Sequence, residues 1–356
     1  MAYSGTVGQT VITVQTLIDH GARRAGKLAE ELTIEQVQSA KESLFYLLSN
    51  LINQGIQYFA IKKKVYGLNA DQYEYLLPVG GNDVLNALYR KMSRPTPNAG
   101  GSYFASSGVT GLAFDNNVAT ADVQTAPNGN IGINYGTDNA VYAGSIGILP
   151  ATSGSFHILL EWSNDGSTWN TLYDTGVTTW QSGQWLWYDI DPGVTAQYYR
   201  MRETGGGTLN VAEFYVGNNS TEITMSRLNR DDYTNLPNKN FTANQPFQYW
   251  FNRTIPQATI TLWPAPSDPF VQMTIWYSAY VEDVGALSGQ LAIPDRWYMA
   301  IQCMLAHQMS QELPGVDVAR IQYLEGQSEK YFQMAEQEER DKSPIYFAPN
   351  ISVYSR

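Results

Sequence analysis

Phe156-His-Ile-Leu-Leu-Glu-Trp-Ser-Asn-Asp-Gly-Ser-Thr-Trp-Asn-Thr-Leu172 is the stretch that decides how this chain is read. An alternating run leads into a polar knot and an alternating run leads out of it. Asp165-Gly166 is the turn signal, because a tight hairpin needs positive φ, which Gly adopts freely and Asp tolerates. The sequence therefore predicts a hairpin, with Trp169 folding back as core. The pattern repeats outward. Ile131-Gly-Ile-Asn-Tyr-Gly136, Gln197-Tyr-Tyr-Arg-Met-Arg202 and Leu209-Asn-Val-Ala-Glu-Phe-Tyr-Val216 are further short alternating runs. Turn signals recur at roughly 8–12 residues, the spacing of a β-sandwich. Residues 99–217 thus read as a self-contained all-β module.

The flanks are different in kind. Residues 10–28 carry Val11, Val14, Leu17, Ile18, Ala22 and Ala25 at helical spacing, with Gly26 near the end. Thr33 opens a second helix, with Gln36 completing a capping box. Val37, Leu44, Leu48, Leu51 and Ile52 make its stripe, Leu47 widens it, and Gly55 is the stop. Residues 73–77 alternate as a strand, ended by Pro78 and Gly80-Gly81. Residues 84–92 suit strand or helix; strand is favoured because it would pair with the segment on the far side of the module. Residues 93–101, rich in Pro, Gly and Asn, form a linker.

Beyond the module, residues 223–230 are short and mixed and 231–246 read as loop. Residues 249–253, 258–263 and 271–280 read as three strands. Pro294 suits the first turn of a helix, where its missing N–H costs nothing. That helix carries Trp297, Ile301, Met304, Leu305 and Met309 and ends at Pro314-Gly315. A last helix spans 316–341. The tail, with Pro344 and Pro349, cannot continue it and reads as an extended arm. The fold class is α+β, with four parts: a discontinuous host domain at 1–98 and 219–342, the insert at 99–218, and the arm at 343–356. The host is expected to combine helices with a small antiparallel β-sandwich.

Composition narrows the function. With 22 Lys and Arg against 33 Asp and Glu, the net charge is -11. That argues against a general nucleic-acid surface, which needs clustered cations to displace counterions. One cysteine, Cys303, excludes an internal disulfide and reads as a small apolar residue on a buried helix face. The start shows no basic-then-apolar leader, and no run approaches the ~20 apolar residues of a membrane span. His20, His157 and His307 lack metal-ligand spacing. Gly205-Gly-Gly207 reads as a turn between strands, not a phosphate cradle. Asp231-Asp232 and Glu338-Glu339 lie in solvated runs. Glu161 would serve as a glycosidase acid only with a second carboxyl roughly 5–9 Å away. No enzyme, cofactor or metal is expected.

The module's "E-x-S-x-D-G-x-x-W" core, Glu161 to Trp169, with Phe114-Asp-Asn-Asn117 upstream, resembles the discoidin (coagulation factor 5/8 C-terminal) family, a galactose-binding-type jelly roll. The resemblance implies ligand or partner loops at one end of the sandwich. Here those are 115–120, with Asp115 and Asn117, and 178–184, with Trp180 and Trp185 beside it. An exposed Trp stacks on sugar rings; the alternative is core packing. Asp115 and Asn117 suit either a structural calcium or a plain Asx turn.

In the host, four pieces occur in order: Tyr73-Glu-Tyr-Leu-Leu-Pro78 with Asp83-Val-Leu and Arg90, Tyr233-Thr-Asn-Leu-Pro-Asn-Lys239 with Pro246-Phe-Gln-Tyr-Trp, Ala258-Thr-Ile-Thr-Leu-Trp-Pro-Ala-Pro266, and Leu291-Ala-Ile-Pro-Asp-Arg-Trp-Tyr-Met-Ala300. Their order resembles the head-to-tail adaptors of short-tailed bacteriophages, also called tail tubular protein A or head-completion proteins. Many of these lack such an insert. The resemblance implies a structural virion protein at the head-tail junction, made in the host bacterial cytoplasm. It would form a ring, a dodecamer in that family, dock on the portal protein and carry tail nozzle and tail fibre proteins. DNA would pass through its channel without sequence-specific contact. Helices 33–55 and 294–313 would build the ring wall. Ile345, Tyr346, Phe347 and Tyr354 would be the portal-binding arm, and no membrane anchor is implied. Lys62, Lys63 and Lys64 would face DNA phosphates, an acidic neighbour or solvent. The other reading is a carbohydrate-binding protein that recognises host glycan through its inserted sandwich.

Overall fold

The computed structural model describes residues 10–53, 60–93, 95, 97–98, 100–217, 219–267, 271–280 and 284–339. The stop at Gly55 and the arm with Ile345, Tyr346, Phe347 and Tyr354 lie outside the described residues. The chain divides into two compact units, Met1–Ile61 with Ser278–Arg356, and Lys62–Tyr277.

The chain begins with helices α1 (Val14–Ala25) and α2 (Ile34–Asn53). Strands β1 (Ile61–Leu68), β2 (Glu74–Leu76) and β3 (Gly81–Ser93) come next. The inserted module then runs through β4 (Ser102–Ala105), β5 (Asp122–Val123), β6 (Asn130–Asn134), β7 (Val141–Pro150), β8 (Gly154–Ser163), β9 (Asn170–Trp180), β10 (Leu186–Ala196), β11 (Tyr198–Glu203) and β12 (Asn210–Gly217). The chain returns through β13 (Asn219–Thr224), β14 (Ser226–Leu228), the short helix α3 (Arg230–Thr234), β15 (Thr242–Ala243), β16 (Gln248–Asn252), β17 (Thr259–Trp263), β18 (Ala265–Pro266) and β19 (Val271–Ala279). It closes with α4 (Asp295–Glu312) and α5 (Val318–Glu338).

In the helical unit the caps do what the sequence asks. Thr13 accepts from the Thr16 N–H at 3.2 Å, and Gly26 ends α1 at φ 93, a conformation Gly adopts without strain. Thr33 and Gln36 exchange bonds of 2.9 and 3.3 Å, satisfying two orphan donors of α2. Pro294 is the residue just before α4 rather than its first helical position. The apolar stripes converge: Leu17, Ile18, Leu44, Leu48, Leu51, Trp297, Ile301, Leu305 and Met309 share one core. A Cβ on Gly21 would lie 2.9 Å from Met309 Sδ, so the missing side chain sets how closely α1 approaches α4. α5 is largely solvated; Leu324 and Ala335 are its buried residues. Cys303 is buried on α4 as expected.

In the other unit, β3 pairs antiparallel with β13, from Ser93 opposite Asn219 to Leu88 opposite Thr224. The strand reading of 84–92, and its partner, are both as the sequence indicates. The register explains how an insertion is tolerated here. Its entry and exit sit opposite each other on neighbouring strands, so the module replaces a hairpin loop. β3 and β13 belong to a sheet ordered β1-β19-β3-β13, and a second host sheet is ordered β14-β16-β17-β2. The host is not wholly antiparallel, because β14 pairs parallel with β16 and β15 with β18. The stretch 231–246, read as loop, contains the turn of helix α3 and the two-residue strand β15.

The module is an antiparallel two-sheet arrangement, β10-β7-β12-β5 and β4-β6-β11-β8-β9. Ile131, Ile133, Ile158, Leu160, Tyr199, Met201 and Phe214 form its core. The Asp165-Gly166 turn is present, with Gly166 at φ 71. Asp165 Oδ1 accepts the N–H groups of Ser167 and Thr168 at 2.8 and 2.7 Å. Trp169 does not fold back into the core. It lies half-buried on the outer face of its sheet, with the Arg200 guanidinium 3.8 Å over the ring. The host strands also sort differently from the composition boundaries at 98 and 219. They cluster with the module and α3, while α1, α2, α4 and α5 form the other unit.

Candidate functional site

The structure buries both tryptophans read from the sequence. Trp180, the last residue of β9, is fully buried, its ring centroid 4.4 Å from that of Phe156. Trp185 is also buried and stacks on Trp187 at 4.9 Å and 19°. A core position, not an exposed sugar platform, is where the structure places Trp180. Trp185 and Trp187 lie on the outer face of the β10-β7-β12-β5 sheet with Tyr215. That face meets β1. A Cβ on Gly67 would fall 2.2 Å from Trp187 Nε1 and 2.4 Å from Trp185 Cβ. The glycine lets the backbone lie flat against the indole pair.

The other predicted loop is a local turn. Asp115 accepts the Asn117 N–H at 2.8 Å through Oδ1 and the Thr120 hydroxyl at 2.7 Å through Oδ2. Asn117 in turn accepts the Ala119 N–H at 3.1 Å. These bonds make an Asx turn, and no cluster of three or more His, Cys, Asp or Glu suited to a metal occurs among the described residues.

Where β1 and the turn after it face the module, a cleft of about 340 Å³ opens. One wall is Lys64, Tyr66 and Gly67 of β1. The other is Thr178 with Gln184, Trp185, Trp187 and Tyr188. Asn69, Gln72 and Tyr75 complete the lining, and their bonds to one another hold them. The Tyr75 hydroxyl accepts the Asn69 N–H at 3.0 Å and donates to the Gln72 carbonyl at 3.2 Å. Asn69 Nδ2 donates to Gln72 Oε1 at 2.7 Å, and Gln72 Nε2 donates to the Glu74 carbonyl at 2.9 Å. The Tyr66 hydroxyl donates to the Leu76 carbonyl at 3.0 Å. Burial pushes the phenols of Tyr66 and Tyr75 up, and that of Tyr188 up to about 12, so all three stay neutral donors. The cleft therefore offers flat aromatic surface, fixed amides and hydroxyls, and no carboxylate among the described residues.

An ion network ties the walls. Lys63 binds Asp189 of β10; Arg90 of β3 reaches Asp189 at 3.3 Å and Glu222 of β13 at 2.7 Å. Strand alternation puts Lys64 on the opposite face of β1 from Lys63. Lys62 and Lys64 are both exposed.

The titratable groups elsewhere are engaged structurally. Glu161, 4 % exposed, accepts from Arg200 Nε at 2.6 Å and Arg202 Nη2 at 2.7 Å. Burial pushes its carboxyl up, but the two guanidinium groups more than offset this and hold it below its ordinary value. Glu203 accepts the N–H groups of Gly205, Gly206 and Gly207 at 2.7, 2.9 and 2.9 Å, so the glycine turn cradles the protein's own carboxylate. Asp122 is buried and accepts two backbone N–H groups, yet desolvation still raises its carboxyl. His157 pairs with Asp174 at 2.7 Å at the surface. Burial pushes the Cys303 thiol up, against the opposing pull of Arg24, whose Nη1 donates to Sγ at 3.3 Å.

Of the cleft lining, sequence reading found Trp185 and the 178–184 loop. It missed Tyr66, Asn69, Gln72, Tyr75 and Tyr188 as site residues, because the two walls come from segments about a hundred positions apart, joined only by packing. The one available signal was the spacing of Lys64 and Tyr66, two apart on a strand.

No family model matches this chain, and no curated protein matches it. Solved structures do. A CBM32 module from Clostridium perfringens in complex with GalNAc-beta-1,3-galactose is 17% identical, with a TM-score of 0.31, covering 35% of this chain and 100% of that one. The family 32 carbohydrate-binding module of C. perfringens NanJ in complex with galactose is 20% identical, with a TM-score of 0.28, covering 35% and 97%. At TM-scores this low, these likenesses assign no ligand here.

Proposed function

We propose that this protein binds carbohydrate in the cleft between β1 and β10. The observation that carries this reading is the lining itself. Saccharides present apolar C–H faces that pack on aromatic rings and hydroxyls that need fixed amide and hydroxyl partners. Trp187 and Tyr188, both half-buried, supply the first; Asn69, Gln72, Thr178 and Gln184 supply the second. The role proposed for this cleft is recognition of the saccharide. A saccharide array probed with the full chain tests this. Asn69→Ala and Gln184→Ala should each weaken binding about tenfold, ~1.4 kcal/mol, with the melting temperature unchanged. Array binding unaffected by both substitutions places the site elsewhere.

A second reading, the phage head-to-tail adaptor, concerns the helical unit. The observation in its favour is a set of exposed apolar side chains there: Ile34, Phe45, Tyr46, Tyr323 and Met334. Exposed apolar surface of this kind suits lateral contact between identical subunits. On this reading the chain is a virion ring subunit with the portal, nozzle and fibre proteins as partners, and the sandwich displays its cleft outward. Mass photometry with isolated portal tests it. A fixed stoichiometry lost on truncation after Lys342 supports it, and no association at any salt concentration overturns it.

A further inference from the structure

We infer that the saccharide this cleft takes carries an acidic group, and that Lys64 is its charge partner. The inference rests on the carbohydrate reading and deepens it. Lys64 is the one charged side chain in the lining among the described residues. Its neighbour Lys63 is committed to Asp189 on the other face of the strand. Lys64 has no ion pair among the described residues.

The chain carries 33 Asp and Glu against 22 Lys and Arg, so a lining drawn at random from its charges would be acidic. Asp71 and Glu74, on the turn that supplies Asn69, Gln72 and Tyr75, are exposed and do not enter the lining. Asp189, next to Tyr188, points its carboxylate at Lys63 and Arg90. A cation with no ion pair among the described residues, beside aromatic rings and neutral amides and with the nearby carboxylates turned away, fits an anionic sugar such as a hexuronate. The general negative charge of the molecule would repel that ligand everywhere except at such a point, which makes charge a source of specificity.

The test is isothermal titration calorimetry of the full chain against three tetrasaccharides of one linkage: a hexuronate, an O-sulfated hexose and the unmodified neutral hexose. The inference expects at least one acidic form to bind about tenfold or more tighter than the neutral form, and the two acidic arms identify which group is read. Lys64→Met should remove that preference, Lys64→Arg should keep most of it, and Lys62→Met should not change it. Raising the salt to about 0.5 M should narrow the gap, since the pair is open to solvent. Equal binding of acidic and neutral forms, or a preference that survives Lys64→Met, overturns the inference and leaves the carbohydrate reading standing. Failure of the wild-type protein to bind any saccharide, here and on the array, overturns the reading on which it rests.

Discussion

Gly67 and Trp187 show how a single missing Cβ can hold a molecule's parts in register. A methyl group at Gly67 would sit 2.2 Å from the indole Nε1, so Gly67→Ala must push the Trp185–Trp187 pair away. Overpacking of this sort costs ~1–3 kcal/mol. Urea unfolding of Gly67→Ala should show a lower midpoint with an unchanged slope; an unchanged midpoint would mean the indoles do not pack on β1. Glu161 makes a second residue-scale case. Its folded carboxyl lies below its ordinary value, so its contribution is complete above ~4.3, the free Glu value, and is lost as pH falls through the lower folded value. Glu161→Gln should flatten the acid limb of stability in that window and cost roughly 1–3 kcal/mol at neutral pH. An acid limb identical to wild type would remove Glu161 from that role.

Elements were legible where local rules and tertiary packing agree. Thr33 and Gln36 announce the start of α2 because a cap is local chemistry, and Thr33→Ala should cost ~0.5–2 kcal/mol in thermal unfolding; a loss near zero would mean that water caps the helix equally well. The β3–β13 pairing was readable for a different reason. An insertion into a hairpin leaves two strands that must meet again. Trp169, Trp180 and Trp185 were not readable, because alternation fixes that successive residues face opposite ways without fixing which side is covered. Trp169 goes to an outer face under Arg200, Trp180 to the core, and Trp185 to a face that is covered only because β1 packs on it. The cleft was half-legible on the same grounds. Its module side lies in one loop and strand, while its host side is contributed by a turn whose proximity is purely tertiary.

At the scale of the whole molecule, the fold separates two kinds of work. The helical unit closes around an apolar core of Leu, Ile and Trp297, where Leu48→Ala should cost ~2–5 kcal/mol. The strand-rich unit carries the cleft. Leu48→Ala should therefore leave saccharide affinity within about twofold of wild type, whereas a cleft substitution lowers affinity without lowering the melting temperature. A loss of affinity in Leu48→Ala at temperatures where it remains folded would show that the helices contribute to recognition.

The proposed entry of saccharide between β1 and β10 is checked by following the indole N–H resonances of the nine tryptophans while saccharide is added, assigning each by its Trp→Phe variant. Shifts concentrated on Trp185 and Trp187, with Trp169, Trp250 and Trp297 unmoved, are the result predicted here. Shifts confined to any of those three, with Trp185 and Trp187 still, would contradict it.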